Sequence, residues 1–335
     1  MFSETLPLAE SALHPDWPQA RFNVSGMFVH DKWLLRFINI MQQGLDCRVP
    51  VEAVHGAPAV LWNAGRPSYA RLGQAAISDS IERFNTRNIG VYVTLTSDQL
   101  SAADLKDPLG NYILDCLAKR SDLNGVIINS DLLSKYIAEK HAALPQVASI
   151  LKVTFEKGRG RVDYYHELGQ RFRRYVVHPD DCRNLGLLNQ LDREKAEIIV
   201  NENCAIHCAN RATHYHTEAT HQRQITGQQD AGLDPFRLNA ERQVLEQELA
   251  RLTAECRAPN YLPQLKLHKR NCNLSQSEMK AIYDLGFRHF KIQGRGDHVA
   301  LFMYDVTRFL LEPEYVAPLL YKLMCRDITA VEDPI

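Results

Sequence analysis

GVIINSDLLSKYIAEKH, Gly125 to His141, opens on a short apolar run rich in β-branched residues and passes through a polar turn into a stretch with helical spacing. A strand followed by a helix is the repeating unit of α/β proteins with parallel strands. Seven other runs of the same kind recur along the chain. They are RFNVS (Arg21 to Ser25), VEAVHG (Val51 to Gly56), IGVYVTLT (Ile89 to Thr96), ASILKVT (Ala148 to Thr154), RYVVHP (Arg174 to Pro179), AEIIVNEN (Ala196 to Asn203) and FRHFKIQG (Phe287 to Gly294). HDKWLLRFINIMQQG supplies a helix after the first of them. An open doubly wound sheet gives similar local signals, but eight repeats in order favour a (β/α)8 TIM-type barrel.

The spacing breaks once. More than eighty residues separate the seventh and eighth runs, where an ordinary crossover needs one helix and two short loops. The chain therefore reads as a single barrel domain over residues 1–335, with segment 209–286 inserted as a cap. Within that segment LNAERQVLEQELARLTAEC places Val244, Leu245, Leu249 and Leu252 on one side of a polar helix. Further on, Ser275 is placed to cap a helix and Glu278 to complete the capping box.

The 335 residues are 45% hydrophobic, enough for a substantial core. Lysine and arginine number 39 against 40 acidic residues, so the formal charge of −1 gives no field that would gather nucleic acid or an anionic membrane. The N-terminal MFSETLPLAESALHPDWPQ has neither a basic start nor a continuous apolar core, and no later run is long enough to span a bilayer. A cytoplasmic protein without membrane partners is expected. Eight cysteines in such a chain read as thiols or metal ligands rather than as a disulfide framework.

In a barrel of this type chemistry gathers at the carboxyl ends of the strands, and NENCAIHCANRATHYH, Asn201 to His216, follows the seventh run directly. Cys204 and Cys208 can hold one metal centre from a single turn, with Cys256 and Cys272 as third and fourth thiolates if the inserted segment folds back over the mouth. Four thiolates suit an iron–sulfur cluster or zinc. His207, His214 or His216 could replace one cysteine at a zinc ion, and buried cysteines also serve as small hydrophobes, the reading favoured for Cys47, Cys116 and Cys325.

Position alone nominates His55, Thr96, Asn129, Lys152, His178, Glu202, Gln293 and Arg295 as residues of a polar pocket. Lys152 stands in an apolar run, as an ion-pair partner or a substrate anchor, with Glu202 as its partner or as a general base. Arg295 in KIQGRG can make bidentate contacts to a carboxylate or phosphate. In HPDD, His178 to Asp181, a helix start accounts for the residues without any metal.

VNENCAIHCANRATHY, with FRHFKIQGRG, VEAVHGAP and NAGRP, resembles the U32 peptidase-like family, to which proteins of anaerobic ubiquinone hydroxylation and of RNA hydroxylation are also similar. The resemblance runs from about Arg21 to Arg295 and is densest at the cysteine turn and the last strand. It implies a (β/α)8 barrel with a [4Fe–4S] cluster on Cys204, Cys208, Cys256 and Cys272, although the first pair is closer together and the third cysteine further away than in the family pattern. The function it implies is a redox transformation such as oxygen-independent hydroxylation of a small or carrier-bound substrate; in it Arg295 and Lys152 would anchor anionic groups, Glu202 would handle protons, and His55, Asn129, His178 and Gln293, nominated by position, would contact substrate. The alternatives are a peptidase, or a non-catalytic iron–sulfur subunit with a protein partner or heterodimer. No G-x-S-x-G or H-E-x-x-H motif supports the peptidase, and the C-x3-C-x2-C triplet of radical S-adenosylmethionine enzymes is missing.

Overall fold

The computed structural model describes residues 12–44, 49–64, 72–231, 243–252, 271–294 and 299–329. Eight parallel strands close a barrel, running round in the order β1 (Arg21–Val24), β10 (His289–Ile292), β7 (Ala196–Ile199), β6 (Arg174–Val176), β5 (Gln146–Ala148), β4 (Gly125–Ile128), β3 (Gly90–Leu95) and β2 (Val51–Gly56). The barrel expected from the repeat count is present. The remaining two strands, β8 (Asn201–Ala205) and β9 (Asn271–Asn273), form a separate antiparallel ribbon.

Helices α1 (Asp31–Gly44), α2 (Gln74–Asn85), α3 (Pro108–Ala118) and α4 (Asp131–Lys140) follow the first four barrel strands, and α5 (Ile150–Phe155), α6 (Val162–Arg171) and α7 (Leu185–Leu188) lie between β5 and β7. Between β8 and β10 the described residues hold α8 (Arg211–Ala231), α9 (243–252), β9 and α10 (Gln276–Asp284), and after β10 come α11 (Val299–Leu310) and α12 (Pro313–Thr329). Ser275 Oγ accepts from Glu278 N at 3.2 Å, and Glu278 Oε2 accepts in return from Ser275 N at 2.7 Å, so both halves of the expected capping box are made. None of the described helices is long and apolar enough to cross a membrane.

The fifth strand differs from its reading. QVA forms β5, whereas ILKVTF is a short helix capped by Ser149, whose Oγ accepts from Leu151 N at 3.2 Å. An apolar run buried on every side carries no period, so strand and helix look alike in it until the cap is recognised. The seventh run also divides. Its first half is β7, and from Asn201 the chain leaves the barrel to pair with β9.

Among the described residues, apolar side chains form two clusters. The larger, including Phe22, Trp62, Phe84, Tyr175, Phe290 and Phe309, underlies the helices and the lower barrel. The smaller joins Ile127, Val147, Ile150, Leu151, Val176 and Ile199 from β4 to β7, with Tyr215 of α8 packed against it. This second cluster lies beside the site.

Candidate functional site

Polar residues occupy the barrel interior where four strands meet. Lys291 Nζ donates to Glu197 Oε2 at 3.2 Å, Asn23 Nδ2 donates to Glu197 Oε1 at 3.1 Å, and His55 Nδ1 stands 2.8 Å from Asn23 Oδ1. The register of β1 against β10 sets Asn23 beside Lys291, which accounts for the convergence. A buried charge is tolerable only when paired in this way. Burial pulls the Lys291 ammonium below its usual value, against the opposing charge of Glu197.

Above this network lies a cavity of about 100 Å³, room for several water-sized groups. His55, Thr96, Glu202 and Gln293, four of the residues nominated by position, line it together with Lys291, Ser25, Asn203 and Tyr215. Glu202 Oε2 accepts from Gln293 Nε2 at 2.9 Å and its Oε1 accepts from Cys204 N at 3.0 Å. One carboxylate thus joins the cavity wall to the cysteine turn. Tyr215 arrives on α8, which is fastened beyond β3 by Gln99 Nε2 donating to Thr220 Oγ1 at 2.6 Å and by an Arg223–Asp104 ion pair at 2.8 Å.

The β8–β9 ribbon explains how cysteines far apart in sequence meet. Pairing of Asn201 with Asn273 and of Ala205 with Asn271 places Cys272 alongside Cys204. His207, at φ +55°, turns the chain back so that Cys208 and Cys204 share a hydrogen bond. Arg211, the first residue of α8 and 4% exposed, reaches into this group, with Nε 3.4 Å from Cys204 Sγ and Nη2 3.5 Å from Cys272 Sγ. Its guanidinium also donates to Asp180 Oδ1 at 3.2 Å and to Ala205 O at 3.0 Å, and lies 2.8 Å from His178 Nε2.

Charge in this cluster is tightly held. Burial would raise the Asp180 carboxyl, but Arg211 and the His207 N–H reverse that and hold it far below the carboxylate range. Burial, then the Arg211 charge, lower His178 to about 3, so its ring is neutral. The Cys204 thiol donates to Cys208, which is lowered to about 6 while Cys204 is raised. The Arg211 charge favours the thiolate form at both sulfurs. Burial pushes Cys272 up to about 12.

No family model matches the chain, and no curated protein does. Among solved structures it is similar to the U32 peptidase Mk0906, 13% identical over 83% of this chain and 94% of that one, with a TM-score of 0.49.

Several nominated residues lie elsewhere. Lys152, placed in a strand by the sequence reading, sits on α5 and donates to Asn129 O at 3.2 Å and to Asp131 Oδ1 at 2.8 Å, so its partner is Asp131 and not Glu202. Neither Lys152 nor Asn129 lines the cavity. His178 belongs to the Arg211 cluster, and its side chain caps the turn Pro179–Asp181, as the helix-start reading of HPDD expects. His214 pairs with Glu218 at 3.2 Å and His216 with Asp98 at 2.6 Å. Cys256 and Arg295 lie outside the described residues, as does Cys47. Among the described residues, no three His, Cys, Asp or Glu side chains are arranged to hold a metal ion as they stand. Cys204 and Cys272 nonetheless share one guanidinium and Cys208 is bonded to Cys204, and three thiols are the soft donor set that iron–sulfur clusters and zinc use.

The sequence reading missed Lys291, Glu197 and Asn23. Each is a polar residue flanked on both sides by apolar ones in its strand, the signal that singled out Lys152. It also missed Cys182, which is fully buried in the main core and donates from Sγ to His178 O at 3.5 Å.

Proposed function

We propose that this protein is an iron–sulfur enzyme that carries out a redox transformation, the oxygen-independent hydroxylation of a small or carrier-bound substrate held in the barrel-mouth cavity. The observation that carries the reading is Glu202, whose two carboxylate oxygens bond to the cysteine turn and to the cavity wall. It sets sulfur chemistry and a polar pocket side by side.

Cys204, Cys208 and Cys272 would hold a [4Fe–4S] cluster, with Cys256 as the fourth ligand carried over from the sequence resemblance. Such a cluster supplies electron transfer next to the pocket. Arg211 offsets thiolate charge, Glu202 accepts or returns a proton at the carboxylate oxygen facing the cavity, and Lys291, paired with Glu197, presents its remaining N–H donors to a substrate oxygen. Arg295 follows the last strand by sequence and would bind an anionic part of a larger substrate.

The test is iron, sulfide and zinc content of anaerobically purified protein, with its absorption spectrum. About four irons per chain with matching sulfide, lost in Cys204→Ala, is the expected result. One zinc without iron would assign a structural or hydrolytic metal instead. Unchanged iron in Cys204→Ala would remove the proposed ligand set.

A further inference from the structure

The cavity has two unlike walls. Ile127, Leu151, Val176, Ile199 and Tyr215 make one side apolar, while Ser25, Thr96, Lys291, Glu202 and Asn203 make the other polar. On the polar side the bonding is incomplete. Ser25 Oγ and Thr96 Oγ1 are buried, with Ser25 2% and Thr96 3% exposed, and neither has a hydrogen-bond partner among the described residues. Asn203 Oδ1 is in the same condition. The Lys291 ammonium, with three donors, has a single hydrogen bond among the described residues, to Glu197.

Buried hydroxyls without partners are rare because each costs its full desolvation. Two in one cavity, beside a lysine with donors to spare, mark a place where a ligand oxygen completes the bonding. The charges say which kind of oxygen. Lys291 is neutralised by Glu197, and Glu202 leaves the lining with an excess negative charge, so an added anion would meet repulsion there. An added cation would face Lys291 and waste the hydroxyl donors.

We infer that the cavity binds an uncharged small molecule with an apolar flank. Its carbonyl-type oxygen accepts from the Ser25 and Thr96 hydroxyls beside the Lys291 ammonium, and an N–H or O–H donates to Asn203 or Glu202. The inference rests on this cavity being the substrate site, but not on any metal.

The experiment uses the anaerobically purified full chain and three probes that share one branched apolar tail: 3-methylbutanamide, 3-methylbutanoate and 3-methylbutan-1-amine. Binding is followed by ligand-observed NMR titration at pH 7, and iron is assayed on the same samples, so the sulfur-centre proposal and this one are read separately. The amide is expected to bind saturably and at least about tenfold more tightly than either charged probe, a difference of roughly 1.4 kcal/mol. Ser25→Ala and Thr96→Ala should each weaken amide binding by about threefold to tenfold. Both variants should keep the parent's thermal midpoint or exceed it, since each removes a buried group that lacked a partner. Equal or tighter binding of the acid or the amine, amide binding indifferent to both substitutions, or no saturable binding by any probe would each overturn the inference.

Discussion

Arg211 Nε stands 3.4 Å from Cys204 Sγ, so the first residue of a long helix provides the positive charge beside thiols carried by a ribbon. The same guanidinium balances Asp180, which is buried with it. Arg211→Met would leave that carboxylate with Arg159, 2.9 Å from its Oδ2, and the His207 N–H as its remaining partners, a loss of about 1–3 kcal/mol for the bonds left unmade. Arg211→Lys keeps the charge but not the fork and should lose less. Urea unfolding of both variants measures this. Equal stability of Arg211→Met and the parent would show that Asp180 does not depend on Arg211.

Lys152 is 2% exposed, yet its ammonium points out to Asp131 and to the Asn129 carbonyl. That geometry assigns it to holding α5 against the end of β4. Lys152→Met should cost about 1–3 kcal/mol through the unsatisfied carbonyl, and should leave ligand affinity in the cavity unchanged. Thermal melts beside the amide titration separate the two roles. A tenfold loss of affinity with an intact fold would restore Lys152 as an anchor.

The difference between Lys152 and Lys291 shows what the sequence made legible. Barrel chemistry collects after the strand ends, and that rule nominates His55, Thr96, Glu202 and Gln293, which line one cavity. It looks past residues within a strand, so Lys291, Glu197 and Asn23, which face inward one layer lower, went unread. Lys152 was misread because ILKVTF has no period to separate a buried helix from a buried strand. Cys272 reaches Cys204 through ribbon pairing between three-residue β9 and β8, a long-range contact that no local pattern announces. Arg211 opens a helix whose polar surface gives little hint that this one side chain is buried.

Cys182 and Cys272 are both buried, but they are held differently. Cys182 sits in the main core with its thiol raised well above the usual range, first by burial and then by the charge of Cys272. Cys272 touches Arg211 and Asp180 at the site. Cys182→Ala should therefore keep the parent's iron content and lose about 1–2 kcal/mol of stability, whereas Cys272→Ala should lose the iron. Loss of iron in Cys182→Ala with a native circular dichroism spectrum would make Cys182 a ligand in place of Cys256.

Deeper in the barrel, Glu52 joins Arg174 at 2.9 Å, and His289 Nδ1 lies 3.3 Å from its other oxygen. Burial alone would raise the Glu52 carboxyl, but the His289 and Arg174 interactions outweigh it and lower the group from 4.5 to about 2. A carboxyl depressed in the folded state binds its proton first in the unfolded chain. Its stabilising contribution is therefore complete above pH 4.5 and is lost as pH falls toward 2. The size is on the order of 2–3 kcal/mol, since a tenfold weaker hold on the proton corresponds to about 1.4 kcal/mol and the side chain is partly exposed. Glu52→Gln should be less stable than the parent at pH 7, with a gap that narrows as the pH is lowered through this window. Urea midpoints at pH 7, 5, 4 and 3 measure the gap, and a constant difference across that range would show that Glu52 is not held as a buried carboxylate by Arg174 and His289.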